Sequence, residues 1–226
     1  MTAVALSGVA RALGPRLLTA HAHLCAMLLR AAHIPILGSA TVAVIDGLGQ
    51  AVVPTTPDPL GGLYSTRFVA LFLLTCFALV LVHRLVSLAR NFVAALLTLV
   101  VMSAATLMVT PSLRYTSILF TQIWLRGEVL VWFLLPWVTA ILFMPIQPSW
   151  PKIWAWMIGV QVYGFLWSAV RLAFCLGVIS FTGSLLTPVL WFLFGMLADL
   201  TYIAVAYSLV VHQAAGRWGD RRQWQY

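Results

Sequence analysis

Charged residues are scarce in this chain: Asp, Glu, Lys and Arg make up only 8% of its 226 residues. A water-soluble domain carries about 25% of such residues, so this sequence has too few charges to cover a surface that faces water. Hydrophobic residues make up 62% of the chain, and the mean hydropathy is +1.00. These values exclude a soluble enzyme and a disordered chain. They predict a polytopic membrane protein in contact with the lipid bilayer.

Acidic residues are the rarest charged class, with five against thirteen Lys and Arg. This basic excess does not indicate nucleic-acid binding, because the Lys and Arg residues are spread thinly along the chain and form no basic patch. In a membrane protein such residues set the orientation of the helices instead.

Residues suited to metal or redox chemistry are also few. The chain has three cysteines, Cys25, Cys76 and Cys175, an odd number without CxxC spacing. We therefore expect neither a disulfide framework nor a zinc site. His21 and His23 are two residues apart, so they do not share a helical face. The sequence has no HExxH, P-loop, Rossmann glycine or GxSxG pattern, and we expect no metal and no cofactor.

Six apolar stretches are candidates for transmembrane helices, each of which needs about 20 residues to cross the hydrocarbon. Residues 1–16 lack the ordered regions of a cleavable signal peptide, and we expect them to remain as a short interfacial helix. The chain is therefore predicted to be an all-α bundle of six transmembrane helices in a single membrane domain, residues 1–226. The predicted helices cover residues 17–32, 68–82, 91–109, 128–146, 153–181 and 185–211, and we expect a kink at Pro136.

The distribution of Lys and Arg favours a cytoplasmic location for both termini. In that orientation eight basic residues face the cytoplasm and four lie on the outer side. The long loop 33–67 then faces outward, the basic tail 212–226 lies in the cytoplasm, and we expect the protein in the cell inner (plasma) membrane. The eight are Arg11, Arg16, Arg84, Arg90, Lys152, Arg217, Arg221 and Arg222, and the four are Arg30, Arg67, Arg114 and Arg126.

The outer loop 33–67 contains four prolines and several glycines, so it cannot be helical throughout. Within it, the segment SATVAVI is rich in β-branched residues and predicts a short strand. A loop of this length in a compact chain is more often functional than not.

Several features around this loop resemble the exosortase/archaeosortase family. They are the run LLTAHAHLCAMLLRAAHIPILG, the strand-like stretch, and the sequence GLYS directly before an apolar span. Members of that family are multi-pass membrane cysteine transpeptidases, proposed to cleave and re-attach exported proteins that carry a C-terminal sorting tag. Gly62, Leu63, Tyr64 and Ser65 match the last four positions of the family's Cys-Thr/Ser-Gly-Leu-Tyr-Ser type motif. The resemblance covers residues 17–130 and includes the basic loop 83–90.

The match fails at the positions that carry the family's chemistry. Leu60 occupies the nucleophile position, and Gly61 the neighbouring hydroxyl position. Acyl transfer needs a thiolate or an activated hydroxyl, and Leu60 supplies neither. The family arginine has no counterpart within residues 91–109, and the nearest arginine, Arg114, lies a few residues beyond them. Residues 120–122, where the family histidine would lie, contain no histidine. The resemblance thus implies a divergent or non-catalytic relative, and no catalytic residue is assigned.

Two charged residues lie inside predicted helices, Arg171 in WSAVRLAFC and Asp199 in GMLADLTY. A charge near the bilayer centre costs about 2.5–3.5 kcal/mol on insertion scales, so such residues usually pair. The two helices are adjacent and antiparallel, and we predict an ion pair that holds them together. The alternatives are a proton or ligand site, and extension of Arg171 to the interface. Glu128 lies at the predicted start of a helix, where we expect it to cap the helix.

Three classes of function are compatible with these features. The first is an exosortase-like protein that handles or sorts exported proteins, with a tagged exported protein as its partner. The second is a structural or assembly subunit of a larger membrane complex, which the ten tryptophans favour. The third is a small transporter, which should show several polar residues near the midplane. The candidates for polar residues or helix breaks near the midplane are limited to Arg171, Asp199 and Pro136.

The predicted topology is testable by cysteine labelling in a variant whose three native cysteines are replaced by Ala. A Gly219→Cys change should react with an impermeant thiol reagent only after the membrane is opened, because the tail is expected in the cytoplasm. A Ser39→Cys change in the outer loop is the matched control and should react in intact cells. Labelling at position 219 in intact cells would overturn the orientation.

Overall fold

The computed structural model describes residues 2–45, 49–56, 66–82, 87–109, 116–146 and 149–218. Within these ranges the chain is mostly helical, which confirms the predicted helical architecture, and it adds one two-stranded sheet. A 3₁₀ turn, Gly183–Leu186, and a π-helical segment, Trp191–Leu197, interrupt the last part of the chain. The elements are α1 (Thr2–Ala31), β1 (Gly38–Ile45), β2 (Gly49–Thr55), α2 (Thr66–Leu81), α3 (Ser87–Val109), α4 (Ser117–Phe143), α5 (Trp150–Thr182), α6 (Thr187–Leu190) and α7 (Ala198–Trp218).

Three helices in the described ranges are long and apolar enough to cross a membrane, which is typical of a membrane protein. They are α4, α5, and the continuous helical stretch Thr187–Ala215, which contains α6, the π-helical segment and most of α7. A shorter apolar helical stretch, Arg90–Thr106, lies in α3. The last stretch extends as α7 to Trp218, so the segment 212–226, expected as a tail, begins inside a helix.

Helix α1 ends in a Schellman motif that sets the position of the following loop. The N–H of Ile34 donates to the carbonyl of Leu29, and the N–H of His33 donates to that of Arg30, both at 3.0 Å. His33 adopts the left-handed conformation this motif requires, with φ of 55°. The motif places Ile34 against α5, where its Cδ1 lies 2.7 Å from the position of a Cβ at Gly177.

The segment after this motif forms an antiparallel hairpin. Strand β1 contains the predicted SATVAVI strand, and it pairs with β2 from Gly38 opposite Thr55 to Ile45 opposite Gly49. The sequence did not predict β2, because Pro54 weakens the strand signal there. The hairpin packs against α1 and α4. The hydroxyl of Ser117, at the start of α4, donates to the carbonyl of Thr56 at 3.3 Å.

Helix α4 begins eleven residues earlier than the sequence predicted. Thr116 provides the N-cap, because its hydroxyl accepts the backbone N–H of Leu119 at 3.2 Å. Glu128 therefore lies well inside the helix and is buried, so the expected capping role was wrong. Pro136 also lies inside α4.

The junction between α5 and the last helices is made by one glycine. Gly183 has φ of 61° and ψ of −152°, a conformation essentially restricted to glycine, and it ends α5. Pro188 then lies in the first turn of α6, where its missing N–H costs nothing. The predicted single helix over 185–211 is thus interrupted by 3₁₀ and π-helical geometry, although a helical stretch long enough to cross a membrane is retained.

The main hydrophobic core lies between α1, α4, α5 and the last helical stretch. Helix α2 packs on α3, and α3 packs on residues 183–190, so this pair lies to one side. The largest core side chains include Leu18, Leu29, Phe120, Trp124, Leu172 and Leu176.

The close approach of Ile34 to Gly177 can be tested with a matched pair of substitutions in α5. Gly177→Val should destabilise the protein by about 1–3 kcal/mol, because the new side chain collides with Ile34 and separates α1 from α5. Gly159→Val is the control, since nothing lies within 4 Å of a Cβ at that position and the helix-propensity change is the same. Thermal unfolding in detergent measures both. Equal losses of stability would contradict the packing argument.

Candidate functional site

The centre of the helical bundle holds a buried charged cluster around Arg171 of α5. This side chain has 1% of its surface exposed. Its Nη2 lies 2.9 Å from Oε1 of Glu128 in α4 and 2.5 Å from Oδ1 of Asp199 in α7. Three helices that are distant in sequence are therefore joined by one guanidinium group.

The other terminal nitrogen of Arg171 binds the backbone of the π-helical segment. Its Nη1 donates to the carbonyl of Phe194 at 2.5 Å and to that of Gly195 at 3.0 Å. The Gly195 carbonyl also accepts the N–H of Ala198, and a carbonyl oxygen with two lone pairs accommodates both donors. π-helical turns occur frequently at functional sites. This one supplies two carbonyl groups that bind the same guanidinium group as the Asp199 carboxyl.

The five donors of Arg171 are almost fully used. Its two terminal nitrogens make four hydrogen bonds, and the guanidinium carbon lies 5.5 Å from the centre of the Trp124 ring. Within the described residues only its Nε lacks a hydrogen-bond partner. A buried charge is tolerated when it is paired and hydrogen-bonded in this way. The charge of Arg171 therefore satisfies the physical conditions for burial in an apolar interior.

A second polar contact joins α1 to the same region. His21 is fully buried, and its Nε2 shares a hydrogen bond of 3.0 Å with the hydroxyl of Ser168 in α5. The Ser168 side chain also lies close to the Glu128 carboxyl group. The ring of His21 packs 5.6 Å from those of Trp132 and Phe165. His23 is exposed on the opposite side of α1, as the two-residue spacing predicts.

The cluster borders a groove between α4 and the last helical stretch. This groove has a volume of about 400 Å³ and is lined mainly by apolar side chains, with Glu128 and Asp199 among its walls. The Asp199 side chain is 14% exposed, against 5% for Glu128. Asp199 is thus the more accessible of the two carboxyl groups.

A separate cleft lies between α1 and the hairpin. It has a volume of about 730 Å³. His23 and Arg30 of α1 provide its charged or ionisable side chains, and both are exposed. Gly38 and Ser39 of β1 and Pro54 of β2 form part of the opposite wall. A cleft with a basic wall and an edge strand is suited to an extended segment that carries negative charge.

The cysteines are poorly placed for chemistry. Cys25 and Cys175 have no exposed surface, and Cys76 is half-buried in α2. A thiol that acts on a protein substrate must be accessible and activated. Among the described residues, no group of three or more His, Cys, Asp or Glu is arranged to hold a metal ion.

The structure places the residues singled out in the sequence as follows. Arg171 and Asp199 are in contact, as expected, but the sequence missed Glu128 as the third member. The signal available was that a long apolar run directly follows Glu128, and that apolar runs also surround Asp199. Leu60 and the motif residues Gly62, Leu63, Tyr64 and Ser65 lie outside the described residues.

Comparisons with protein-family models, with curated proteins and with solved structures found no match for this chain. A function for this chain is therefore inferred from the residues and geometry described above.

The three-helix cluster predicts a specific pattern of stability. Arg171→Met should lower the free energy of unfolding by about 3–5 kcal/mol, because two buried carboxyl groups lose their counter-charge. The triple change Arg171→Met, Glu128→Leu, Asp199→Leu should recover most of that loss, since apolar replacement of a complete buried cluster is often near neutral. The double change Arg171→Met, Asp199→Leu should recover less, because Glu128 remains. The measurement is monodisperse yield and unfolding in detergent.

Lys152→Met is the matched control on α5, because Lys152 is exposed and makes no ion pair with a described residue. It should leave yield and unfolding unchanged. A triple variant as damaged as the single Arg171 variant would show that the three side chains do not act as one unit.

Proposed function

We propose that this protein is an exosortase-like, non-catalytic membrane protein that binds extended segments of exported proteins at its hairpin end. In this proposal α1, α2 and α3 cross the inner membrane together with the three long helices, which gives six spans with both termini in the cytoplasm. The observation that carries the proposal is the basic cleft between α1 and the hairpin. It lies on the part of the chain that resembles the family.

The position of the cleft supports the proposal. The hairpin follows the end of α1 and contacts the start of α4, so both helices present the same side of the bundle to it. With the N-terminus in the cytoplasm, this side faces outward, where an exported protein would be met. Within the described residues β1 pairs only with β2, and a strand with one unpaired edge is a common site for an added peptide strand.

The charge of the cleft favours a segment with an acidic group. Arg30 carries a positive charge, and His23 lies seven residues earlier, on the same face of α1. Neither residue forms an ion pair with a carboxylate in the part of the chain that the structure describes. An acidic side chain or a C-terminal carboxylate of a bound segment would supply one.

Two features support a role without catalysis. The position that the resemblance assigns to the nucleophile is Leu60. Cys25 and Cys175 are closed off inside the helical core, where a peptide bond cannot reach them. The protein in this proposal retains and presents exported chains, while any covalent step belongs to another protein.

A structural subunit of a larger membrane complex is the second candidate. The observation that favours it is the last long helix, of which only 18% of the apolar window is buried inside the protein. Such a surface faces either lipid or another subunit. Co-purification of a stable membrane partner in a fixed ratio, unaffected by changes in the cleft, would favour this function over the first.

The cleft is testable with a photo-crosslinking amino acid in place of Ser39, which is exposed on its wall. In cells, this variant should capture exported proteins, identified by their secretion signals. Arg30→Glu should reduce the capture about fivefold, because removal of an exposed ion pair costs about 1 kcal/mol. Quantitative mass spectrometry of the crosslinked products measures the effect.

Arg16→Glu is the control, since Arg16 is exposed on the same helix outside the cleft. It should leave the capture unchanged. Equal capture by the Arg30 and Arg16 variants, or capture of resident membrane proteins alone, would contradict binding of exported segments in this cleft.

A further inference from the structure

The charged cluster holds unequal numbers of positive and negative groups. Arg171 contributes one positive charge, and Glu128 and Asp199 contribute two negative charges when both are ionised. Among the described residues, Arg171 is the sole cationic side chain that forms an ion pair with either carboxyl group. The ionised cluster would therefore carry one surplus negative charge in the bundle interior.

Other titratable groups around the cluster do not remove this surplus. His21 of α1 faces it through Ser168, Cys175 lies on α5 with Arg171, and Tyr202 lies one turn beyond Asp199 in α7. A charged His21 would add a second positive charge near Arg171, which repels it, and its hydrogen bond goes to a neutral hydroxyl. Tyr202 and Cys175 could contribute only negative charge.

A buried unpaired carboxylate is costly, and the simplest cation that removes the charge is a proton. Both carboxyl groups bind the same Nη2 of Arg171, so they compete for one counter-charge and titrate as a coupled pair. We propose that the cluster binds one proton, held between Glu128 and Asp199 and exchanged through the groove between α4 and α7. Asp199 is the carboxyl group that borders this groove with its side chain partly exposed.

The proton makes the cluster electrically neutral, with one carboxylate, one carboxylic acid and one guanidinium. No bond other than the O–H bond forms or breaks, and the proton enters from and returns to water. The cluster then becomes a site at which loss of a proton places one net charge inside the bundle. Such a site couples the proton concentration to the packing of α4, α5 and α7, independently of any segment bound at the hairpin.

Infrared spectroscopy of the purified full-length protein tests this directly. A carboxylic acid gives a C=O stretching band separate from those of carboxylates, and the band shifts in heavy water. Glu128 is the one glutamate in the chain, so labelling of glutamate with ¹³C reports on that residue alone. The other three aspartates, Asp46, Asp58 and Asp220, are replaced by Asn in the test protein, so labelling of aspartate reports on Asp199 alone.

The expected result at neutral pH is a carboxylic acid band that moves with the glutamate label, the aspartate label or partly with each. In Asp199→Asn or Glu128→Gln the band should disappear, because Arg171 then neutralises the single remaining carboxylate. Each of these variants should keep its folded yield, whereas the double variant leaves Arg171 without a counter-charge and should lose yield.

Both labels are read with Glu128 and Asp199 intact, so the test does not depend on whether the Asp199→Asn or Glu128→Gln variant folds. Absence of the band at neutral pH would overturn the proposal, as would a band that moves with neither label. A band that persists in either single variant would also overturn it, because protonation would then not arise from the surplus charge.

Discussion

The guanidinium of Arg171 is the constraint on which the rest of the bundle depends. Its five N–H donors and its charge lie in an apolar interior, where burial of an unpaired polar group costs several kcal/mol. Four of the five donors are satisfied, by a carboxyl group from α4, another from α7 and two carbonyls from the π-helical segment. The irregular geometry of Trp191–Leu197 and the crossing of α4, α5 and α7 near one point therefore serve the same group.

The helix α1 connects this interior with the cleft beside the hairpin. His21 faces inward to Ser168, while His23, two residues later, faces the cleft beside the hairpin. The Schellman motif at the end of α1 fixes where the hairpin begins, and Ile34 locks that end of the helix against α5. The charged interior joins α4, α5 and α7, and the hairpin end provides the exposed surface on which we propose that exported segments bind.

Sequence reasoning succeeded where a signal is local and failed where it depends on distant partners. The apolar runs in α4, α5 and the last stretch predicted long helices, and the β-branched run SATVAVI predicted a strand. Glu128 was assigned to a helix start because Arg126 and Gly127 interrupt the apolar run. The preceding apolar residues continue the helix back to Thr116, whose hydroxyl supplies the true cap. That error concealed the third member of the cluster.

The sequence by itself determined that this is a helical membrane protein, because composition and hydropathy decide whether a chain can cover a surface that faces water. It also indicated that Arg171 and Asp199 need partners, since an isolated charge is costly in hydrocarbon. Only the tertiary structure decided that Asp199 and Glu128 share one nitrogen of Arg171, and that carbonyls of the π-helical segment bind the other terminal nitrogen. Those contacts join residues 43 and 28 positions apart, and such distances in space depend on how helices pack rather than on any local pattern.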